Sequence, residues 1–198
     1  EADKPISISA PPLSKETLKD LYGSVERIGI GLDSVTDEIR DRTKPKYDPK
    51  VFWEYLGRAS RIYGKENVTA HIIVGMGETL EELAMAVKKV NLLGAKVSLF
   101  SFLHEDDAPE IEYYRRAQIL RYLIEDEDKS IEEAFNILNN DHDELEKLMG
   151  DGHMFRTQGC PGCNRPYYTT KPGQEHRNFP RRPNEKELMK IKKDLGIV

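Results

Sequence analysis

Cysteine is nearly absent from this chain of 198 residues, which contains only two. Cys160 and Cys163 are too few and too close together to build a disulfide framework, which excludes a small disulfide-stapled secreted domain. The sequence also lacks an apolar run as long as a membrane-spanning helix requires, and it shows no signal peptide. These absences predict a cytoplasmic protein with no part in the membrane.

An excess of positive charge is missing as well. The chain has 30 Lys and Arg against 35 Asp and Glu, a formal net charge of −5, so the charge balance predicts no nucleic-acid partner. Lys and Glu are abundant and Gln is scarce, a bias that indicates a heat-adapted protein. The length predicts one domain with an appendage.

One apolar stretch organises the prediction of the fold. Residues 68–74 are β-branched and nearly uncharged, which predicts a strand buried on both faces, as in a parallel sheet covered by helices. Gly75 and Gly77 then permit a tight turn. Thr79 and Glu82 form a capping-box pattern that predicts the start of an amphipathic helix. A ligand-sized space is therefore expected above the carboxyl end of this strand.

Strands and helices alternate around this stretch. Strands are predicted near 5–9, 26–32, 68–74 and 96–103, and helices follow Ser14 and the pair Asp48-Pro49. A β-α repeat of about 30 residues implies right-handed crossovers, and therefore an α/β fold with a parallel sheet. A closed eight-stranded barrel needs about 250 residues, so we expect these strands to form part of a larger sheet.

The rest of the chain lacks strand patterns. Helices are predicted at 109–125, 130–149 and 184–195, and residues 150–183 are irregular. We therefore expect three segments: a sheet-containing segment at 1–108, a helical extension at 109–150 and a cysteine-containing tail at 151–198. Because the chain begins at Glu1, directly before a strand-like segment, we expect it to be a piece of a longer polypeptide.

Asp33 is the first candidate site residue, because it ends the strand near 26–32. A carboxylate at the carboxyl end of a parallel strand can accept hydrogen bonds from a ribose diol. Alternatively, Asp33 only caps a short helix that runs from Ser34 to Ile39. The residue by itself favours the cap.

Ile73 and Gly75 are the next candidates, since they end the neighbouring strand. Ile73 offers an apolar ledge for a flat adenine ring, and the backbone at Gly75 offers hydrogen-bonding groups for the edge of that ring. The alternative is an ordinary strand-to-helix turn, because the dinucleotide fingerprint and the lysine of a phosphate loop are both missing. His71, in the middle of the strand, is predicted to be a core histidine.

The Cys160-Pro-Gly-Cys163 pair predicts a metal or cluster site. Two residues between cysteines allow both sulfurs to reach one metal ion. A thioredoxin-like redox pair is disfavoured, because no strand precedes the motif and no helix follows it. One pair is half a site, so further ligands must come from His153 or His176, from sequence before Glu1, or from another chain.

Three segments together resemble successive strands of radical S-adenosylmethionine (SAM) enzymes of the biotin synthase and lipoyl synthase group. They are Gly29-Ile-Gly-Leu-Asp33, His71-Ile-Ile-Val-Gly-Met-Gly-Glu-Thr79 and Ser98-Leu-Phe-Ser-Phe102. The resemblance extends over residues 5–102 and implies the second half of a (β/α)6 partial TIM-type barrel. It also implies SAM as cofactor, with Asp33 on the ribose and Ile73 against adenine. In that group a [4Fe–4S] cluster on a Cys-x3-Cys-x2-Cys loop cleaves SAM to a 5′-deoxyadenosyl radical.

The sequence departs from that group in two ways. The three-cysteine loop is absent, so we expect the cluster ligands to lie before Glu1 and the chain as given to be inactive. Thr69 stands where biotin synthase has a cysteine ligand to a second cluster, which argues against biotin synthase itself.

The tail resembles the end of archaeal-type, two-component lipoyl synthases, through residues 158–168, Pro172-Gly173 and 178–180. This resemblance implies that Cys160 and Cys163 join an auxiliary [4Fe–4S] cluster that donates sulfur. It implies an octanoyl-lysine on a lipoyl carrier protein as substrate, and a second radical SAM subunit as a possible partner. Two alternatives remain: a related enzyme with mutase or C–C bond chemistry, and a non-catalytic subunit that holds zinc or a cluster.

Overall fold

A computed structural model of the chain describes residues 5–45, 48–103, 108–158, 163 and 169–197. The four predicted strands all form, and they make one parallel sheet in the order β1-β2-β3-β4. Their bounds are β1 (Ser7–Ser9), β2 (Arg27–Asp33), β3 (Val68–Val74) and β4 (Lys96–Ser101). The predicted α/β fold with a parallel sheet is confirmed.

Helices connect and cover these strands. Within the described ranges they are α1 (Lys15–Leu21), α2 (Asp37–Thr43), α3 (Pro49–Tyr63), α4 (Leu80–Leu92), α5 (Ile111–Glu125), α6 (Ile131–Asn140), α7 (His142–Met149) and α8 (Glu185–Asp194). None of these helices is long and apolar enough to cross a membrane.

Local capping chemistry explains where the predicted helices begin. The Asp48 carboxylate accepts from the Lys50 N–H at 2.9 Å, with Pro49 at the first helical position of α3. At α4 the Thr79 N–H donates to the Glu82 carboxylate at 2.8 Å, and the Glu82 N–H donates back to the Thr79 hydroxyl at 3.2 Å. The capping box predicted from the sequence is therefore present.

The single helix predicted at 130–149 is wrong, because the chain breaks at Asp141. That residue leaves helical geometry, with φ −117° and ψ 75°, and its side chain accepts from the Glu144 N–H at 3.0 Å. Aspartate competes for local backbone hydrogen bonds and so favours a helix start over a helix interior. Two helices, α6 and α7, result.

The two faces of the sheet have different surroundings. Crossovers in parallel sheets are right-handed, and with this sequential strand order they place α3 and α4 on the same face, as in part of a TIM-type barrel. The residues on that outer face are at most 2% exposed: Ile28, Ile30, Leu32, Ala70, Ile72, Val74, Val97 and Leu99.

The opposite face, called the inner face below, consists of Gly29, Gly31, Thr69, His71, Ile73, Ser98 and Phe100. Register partners in a parallel pair point to the same side, and contacts between side chains agree with this assignment. A Cβ on Gly29 would lie 2.7 Å from His71 Cε1, and the His71 and Phe100 ring centroids are 5.1 Å apart. Because His71 and Ile73 are only half-buried, β3 is fully covered on its outer face alone.

The free edge of β4 is closed by side chains. The Val97 N–H donates to the Glu125 carboxylate of α5 at 2.6 Å. The Leu99 carbonyl accepts from the Tyr114 hydroxyl at 2.9 Å and from the Asn178 amide at 3.1 Å. These side chains thus cover at least two backbone groups on the free edge of β4.

The described part of the tail packs onto α5 through a buried polar network. The Arg115 guanidinium, with 0% exposure, donates to the carbonyl of His176 at 2.7 Å and also to that of Arg177. The Gln118 amide donates to the Asn178 side chain at 2.6 Å. One buried core contains residues of all three predicted segments, such as Leu99, Tyr114 and Ile191. The division at 108 and 150 stays a prediction.

Candidate functional site

The carboxyl ends of β2, β3 and β4 meet at one edge of the sheet, where a ligand site is expected in parallel α/β folds. An irregularity in the β2–β3 pairing lies between Gly31 and Asp33, and it brings Asp33 opposite Ile72. Asp33 thus lies at the same end of the sheet as Ile73 and Gly75. The three residues predicted to bind a nucleoside are brought to neighbouring positions.

Asp33 does not cap the helix that follows it. Helix α2 begins at Asp37, and its N-cap is Thr36, whose hydroxyl accepts from the Ile39 N–H at 3.2 Å. The predicted helix from Ser34 to Ile39 is therefore wrong, because Thr36 supplies the capping oxygen. This removes the alternative role that the sequence favoured for Asp33.

The Asp33 carboxylate instead folds back over the inner face. Its Oδ1 atom is 3.1 Å from the place where a Cβ on Gly31 would be, so the absence of that side chain makes room for it. Lys44 forms an ion pair with the carboxylate, and the two side chains are 35% and 23% exposed. Both groups are partly accessible to a ligand that enters over Gly31.

Arg40 lies under the loop after Asp33. Its side chain is 1% exposed and donates to the Ser34 carbonyl at 3.0 Å, with the Asp37 carboxylate at 3.6 Å. Burial lowers the pKa of Arg40, while Asp37 and Asp33 act in the opposite direction. This buried cation holds the carbonyl next to the candidate carboxylate.

Ile73 lies on the inner face, half-buried, in register with Phe100 of β4. Two residues earlier, the His71 ring stands edge-on to Phe100 at an interplanar angle of 61°. The structure therefore places His71 on the inner face and not in the core beneath the helices. Ile73 and Phe100 give this end of the inner face an apolar surface suited to a flat ring.

The turn at Gly75 is organised by Glu78. The N–H groups of Gly75 and Met76 donate to the Glu78 carboxylate at 2.6 and 2.9 Å, and Glu78 is only 7% exposed. The Tyr113 hydroxyl donates to the Glu78 carbonyl at 2.6 Å; burial and the Glu78 charge raise the pKa of Tyr113, so this hydroxyl remains a donor. With these amides taken, the turn can offer a ligand backbone carbonyls, which accept hydrogen bonds.

Gly75 itself faces protein. A Cβ at this position would lie 2.6 Å from Pro109, whereas one at Gly77 would lie 3.8 Å from the Arg42 guanidinium, its nearest neighbour. The close backbone approach expected at Gly75 is thus made by Pro109.

A cleft of about 580 Å³ opens beside this turn. Its lining is largely apolar, with one guanidinium and one hydroxyl: Ile39, Arg42, Thr43, Gly75, Met76, Gly77, Phe102 and Ala108. The cleft is widely open to solvent, and its described lining includes Gly75 but neither Asp33 nor Ile73.

The predicted cysteine site is described only in part. Cys160 lies outside the described residues, and Cys163 is a half-buried free thiol. The residues that the structure does describe contain no group of three or more metal-ligating side chains. Just before the pair, the Gln158 carbonyl accepts from the Ser98 hydroxyl at 3.0 Å, which attaches this part of the tail to the inner face. Metal binding by Cys160 and Cys163 stays a prediction.

The roles of three residues in this region were not predicted from the sequence. Arg40 and Lys44 were not identified, and Glu78 was not expected to organise the turn. Glu78 belongs to the Gly-Met-Gly-Glu turn, and its position three residues after Gly75 was a usable signal for a side chain that caps the turn. Lys44 carries no such signal, because only the path of α2 brings it back to Asp33.

Comparison with protein families gives one finding that bears on this site. Residues 1–90 match the radical SAM superfamily, and this segment contains β1, β2, β3 and the candidate residues Asp33, Ile73 and Gly75. Neither curated proteins nor solved structures give a significant match. The match supports a radical SAM enzyme in general, and it does not distinguish between groups within the superfamily. The similarity to the radical SAM superfamily thus covers 90 of the 198 residues, which is less than half of the chain.

Proposed function

We propose that this chain is part of a radical SAM enzyme of the lipoyl synthase type, which inserts sulfur into an octanoyl group carried on a protein lysine. The observation that carries the proposal is the placement of Asp33 and Ile73. They lie at the carboxyl ends of adjacent parallel strands. Ile73 is in register with Phe100 on the inner face, and the Asp33 carboxylate lies over Gly31 on that face, although the pairing irregularity sets its backbone opposite Ile72. This is one half of what an adenosyl group needs: a carboxylate for the ribose beside an apolar surface for the base.

The residues present fit the nucleoside part of SAM. Asp33 Oδ1 lies over Gly31 on the inner face, and because the side chain is 23% exposed, a ribose diol could donate to it. Ile73 is one strand away, about 5 Å across a sheet, a suitable offset for the base. The carbonyls of the Gly75 turn would accept from an exocyclic amino group, since Glu78 already holds the Gly75 and Met76 N–H groups.

The radical-generating cluster does not fit this chain. Such a cluster requires three closely spaced cysteines, and the 198 residues contain only Cys160 and Cys163. The proposed activity therefore requires ligands from sequence or a subunit outside these residues. When bound to such a cluster and cleaved, SAM would supply a 5′-deoxyadenosyl radical able to take hydrogen from an unactivated C–H bond.

The tail supports the sulfur-insertion part of the proposal. Cys160 and Cys163 have the spacing for an auxiliary cluster, and Gln158 before them is bound to Ser98 on the inner face. We propose that a sulfide held by this pair and the activated carbon meet over the same face. The proposed partners are an octanoyl-lysine lipoyl carrier protein and a second radical SAM subunit.

Nucleoside binding tests the first part of the proposal. We expect S-adenosylhomocysteine to bind the chain with a Kd well above micromolar, because groups for the methionine end are not among the residues identified, and Asp33→Ala to weaken it further by about tenfold. Isotope-detected NMR titration measures both. Equal affinity in the wild type and in Asp33→Ala would contradict the ribose role.

Iron analysis tests the second part. After anaerobic reconstitution with iron and sulfide, the wild-type chain should hold about four iron atoms more than Cys160→Ser/Cys163→Ser, if the pair ligates an auxiliary cluster. Zinc retained in place of iron would favour a non-catalytic, metal-holding subunit. That second candidate is favoured by the shortage of cysteines in the chain. Absence of any cysteine-dependent metal would favour a related enzyme without a sulfur donor, such as a mutase.

A further inference from the structure

Asp33 has a backbone conformation that is uncommon for residues other than glycine. Its φ is 61°, in the left-handed region, which aspartate and asparagine adopt more often than other L-residues do. It lies directly after the pairing irregularity in β2. Strained residues persist where the surroundings fix them, and they concentrate at functional sites.

Two cations, Arg40 of α2 and its C-cap Lys44, contact this region. Arg40, which is 1% exposed, donates to the Ser34 carbonyl at 3.0 Å and so holds the Ser34–Val35 peptide, the second peptide after Asp33. Lys44, four residues later, forms the ion pair with the Asp33 carboxylate. The helix and its cap therefore hold the loop after Asp33 and the side chain of Asp33.

The Lys44 ammonium is itself held in place. It donates to the Gly31 carbonyl at 3.4 Å and lies 5.7 Å from the centre of the Phe52 ring. The contact to Asp33 is made to Oδ2. Oδ1, the other oxygen, is the one that lies over Gly31 on the inner face. The Lys44 ammonium lies 3.5 Å from the same point over Gly31, so it stands beside the carboxylate on the inner face and contacts Oδ2 there.

We propose that Lys44 is a positioning residue of the nucleoside site. By holding Oδ2, it fixes the rotamer in which Oδ1 faces a ribose diol, so it sets specificity for a ribonucleoside without touching the base. This inference rests on the proposed role of Asp33. It adds a residue beyond the strand ends, and that residue should be required for the preference between sugars.

The test compares two ligands that differ only in the diol, adenosine and 2′,3′-dideoxyadenosine, titrated into the full chain and followed by NMR. The wild type should bind adenosine about tenfold more tightly, because a hydrogen bond to a charged group discriminates by about that factor. Lys44→Met should weaken adenosine binding about fivefold and leave dideoxyadenosine binding unchanged. Lys44→Arg, which keeps a cation beside Oδ2, should retain most of the preference.

Lys50→Met is the matched control. Lys50 is an exposed lysine near the start of α3, so the substitution makes the same change in net charge without a contact to Asp33. It should leave both affinities as in the wild type. Thermal unfolding of each variant shows whether the fold is kept.

The possible outcomes separate the two proposals. If the wild type prefers adenosine and Lys44→Met keeps that preference, Lys44 has no positioning role and the nucleoside site stands. If Lys44→Met weakens the binding of both ligands equally, the effect of Lys44 is merely structural, and the inference is overturned as well. A wild type that does not distinguish the ligands would overturn the ribose role of Asp33 together with that of Lys44.

Discussion

Gly75 and Gly77 both follow β3, and we expect Gly75 to tolerate substitution less well than Gly77. Their φ values are 98° and 110°, so a Cβ strains the backbone at either position. At Gly75 the added atom would also lie 2.6 Å from Pro109, whereas at Gly77 the nearest atom, of Arg42, is 3.8 Å away. The two glycines look equivalent in the sequence, but the packing around them differs.

Gly75→Ala should therefore lower the free energy of unfolding by about 3 kcal/mol, the sum of backbone strain and overpacking. Gly77→Ala, the matched control, should cost about 1–2 kcal/mol from strain alone. Urea denaturation followed by circular dichroism measures both. Equal losses for the two variants would mean that Pro109 moves aside without cost.

Glu78 is the second residue whose change is informative. Glu78→Gln keeps one acceptor for the Gly75 and Met76 N–H groups but turns an NH₂ group toward the other, so one buried amide loses its partner. We expect a loss of about 2 kcal/mol in unfolding free energy. The control Glu81→Gln, at an exposed position in the first turn of α4, should change it by less than about 0.5 kcal/mol. If Glu78→Gln leaves the free energy of unfolding unchanged, the turn is not held by this carboxylate.

The sequence was enough to predict which residues lie at the ends of the strands. It was not enough to predict which side chains those residues contact. Asp33 and Ile73 could be placed at one edge because parallel strands bring their carboxyl ends together. The partners Lys44 and Pro109 come from loops and helices whose paths depend on the finished packing. The cap role favoured for Asp33 failed because Thr36, three residues later, competes for the same function and lies closer to the helix.

At the scale of single elements, α5 closes the sheet. Glu125 accepts the Val97 N–H and pairs with Arg121 at 3.0 Å. Burial raises the pKa of the Glu125 carboxyl above its ordinary value of 4.5, although Arg121 acts in the opposite direction. The folded protein thus retains this proton to a higher pH than the unfolded chain does.

The sign of the pH effect follows. Stability from protonated Glu125 is fully present below about pH 4.5 and is lost as the pH rises through the folded-state pKa. We expect the unfolding free energy of the wild type to fall relative to that of Glu125→Gln between pH 4 and pH 7, as measured by urea titrations at unit intervals. A difference that is constant with pH would contradict the raised pKa.

Glu133 provides a control of opposite sign. Hydrogen bonds from the Ser130 hydroxyl and N–H lower its pKa, so its contribution is present above about pH 4.5 and is lost as the pH falls through the folded-state value. The unfolding free energy of the wild type should therefore increase relative to that of Glu133→Gln as the pH rises. This is the reverse of the trend at Glu125.

The starts of the helices could be predicted because capping depends on residues that are close in sequence, as Ser130 and Glu133 are. Capping boxes at Thr79 and Ser130 involve residues three apart, and no distant contact is needed to form them. The break at Asp141 is also local, but hydrophobic periodicity continues across it and so conceals it. The closure of β4 by Glu125 and Asn178 joins residues far apart in sequence, and no periodic pattern reports such a pairing.

At the scale of the whole molecule, the tail and the sheet share one core. Asn178, 2% exposed, donates to the Leu99 carbonyl, the Tyr114 hydroxyl at 3.1 Å and the Thr169 hydroxyl at 3.3 Å. It also accepts from Gln118. One side chain therefore ties the tail to both β4 and α5.

Asn178→Ala should lower the unfolding free energy by about 2–4 kcal/mol, because several buried polar groups lose a partner together. The exposed control Asn140→Ala, which removes only a contact to Asn136, should cost less than about 0.5 kcal/mol. Both variants should still unfold in a single urea transition. A separate early transition for the tail would contradict a shared core.

The proposed function requires the inner face, at the carboxyl ends of β2 and β3, to receive an adenosyl ligand. A residue-resolved NMR map of S-adenosylhomocysteine on the isotope-labelled chain tests this. Backbone signals of Gly31, Asp33 and Ile73 should shift in a saturable manner, while those of the helix-covered residues Ile30 and Val97 stay in place. Shifts confined to the outer helices, or none at millimolar ligand, would contradict it.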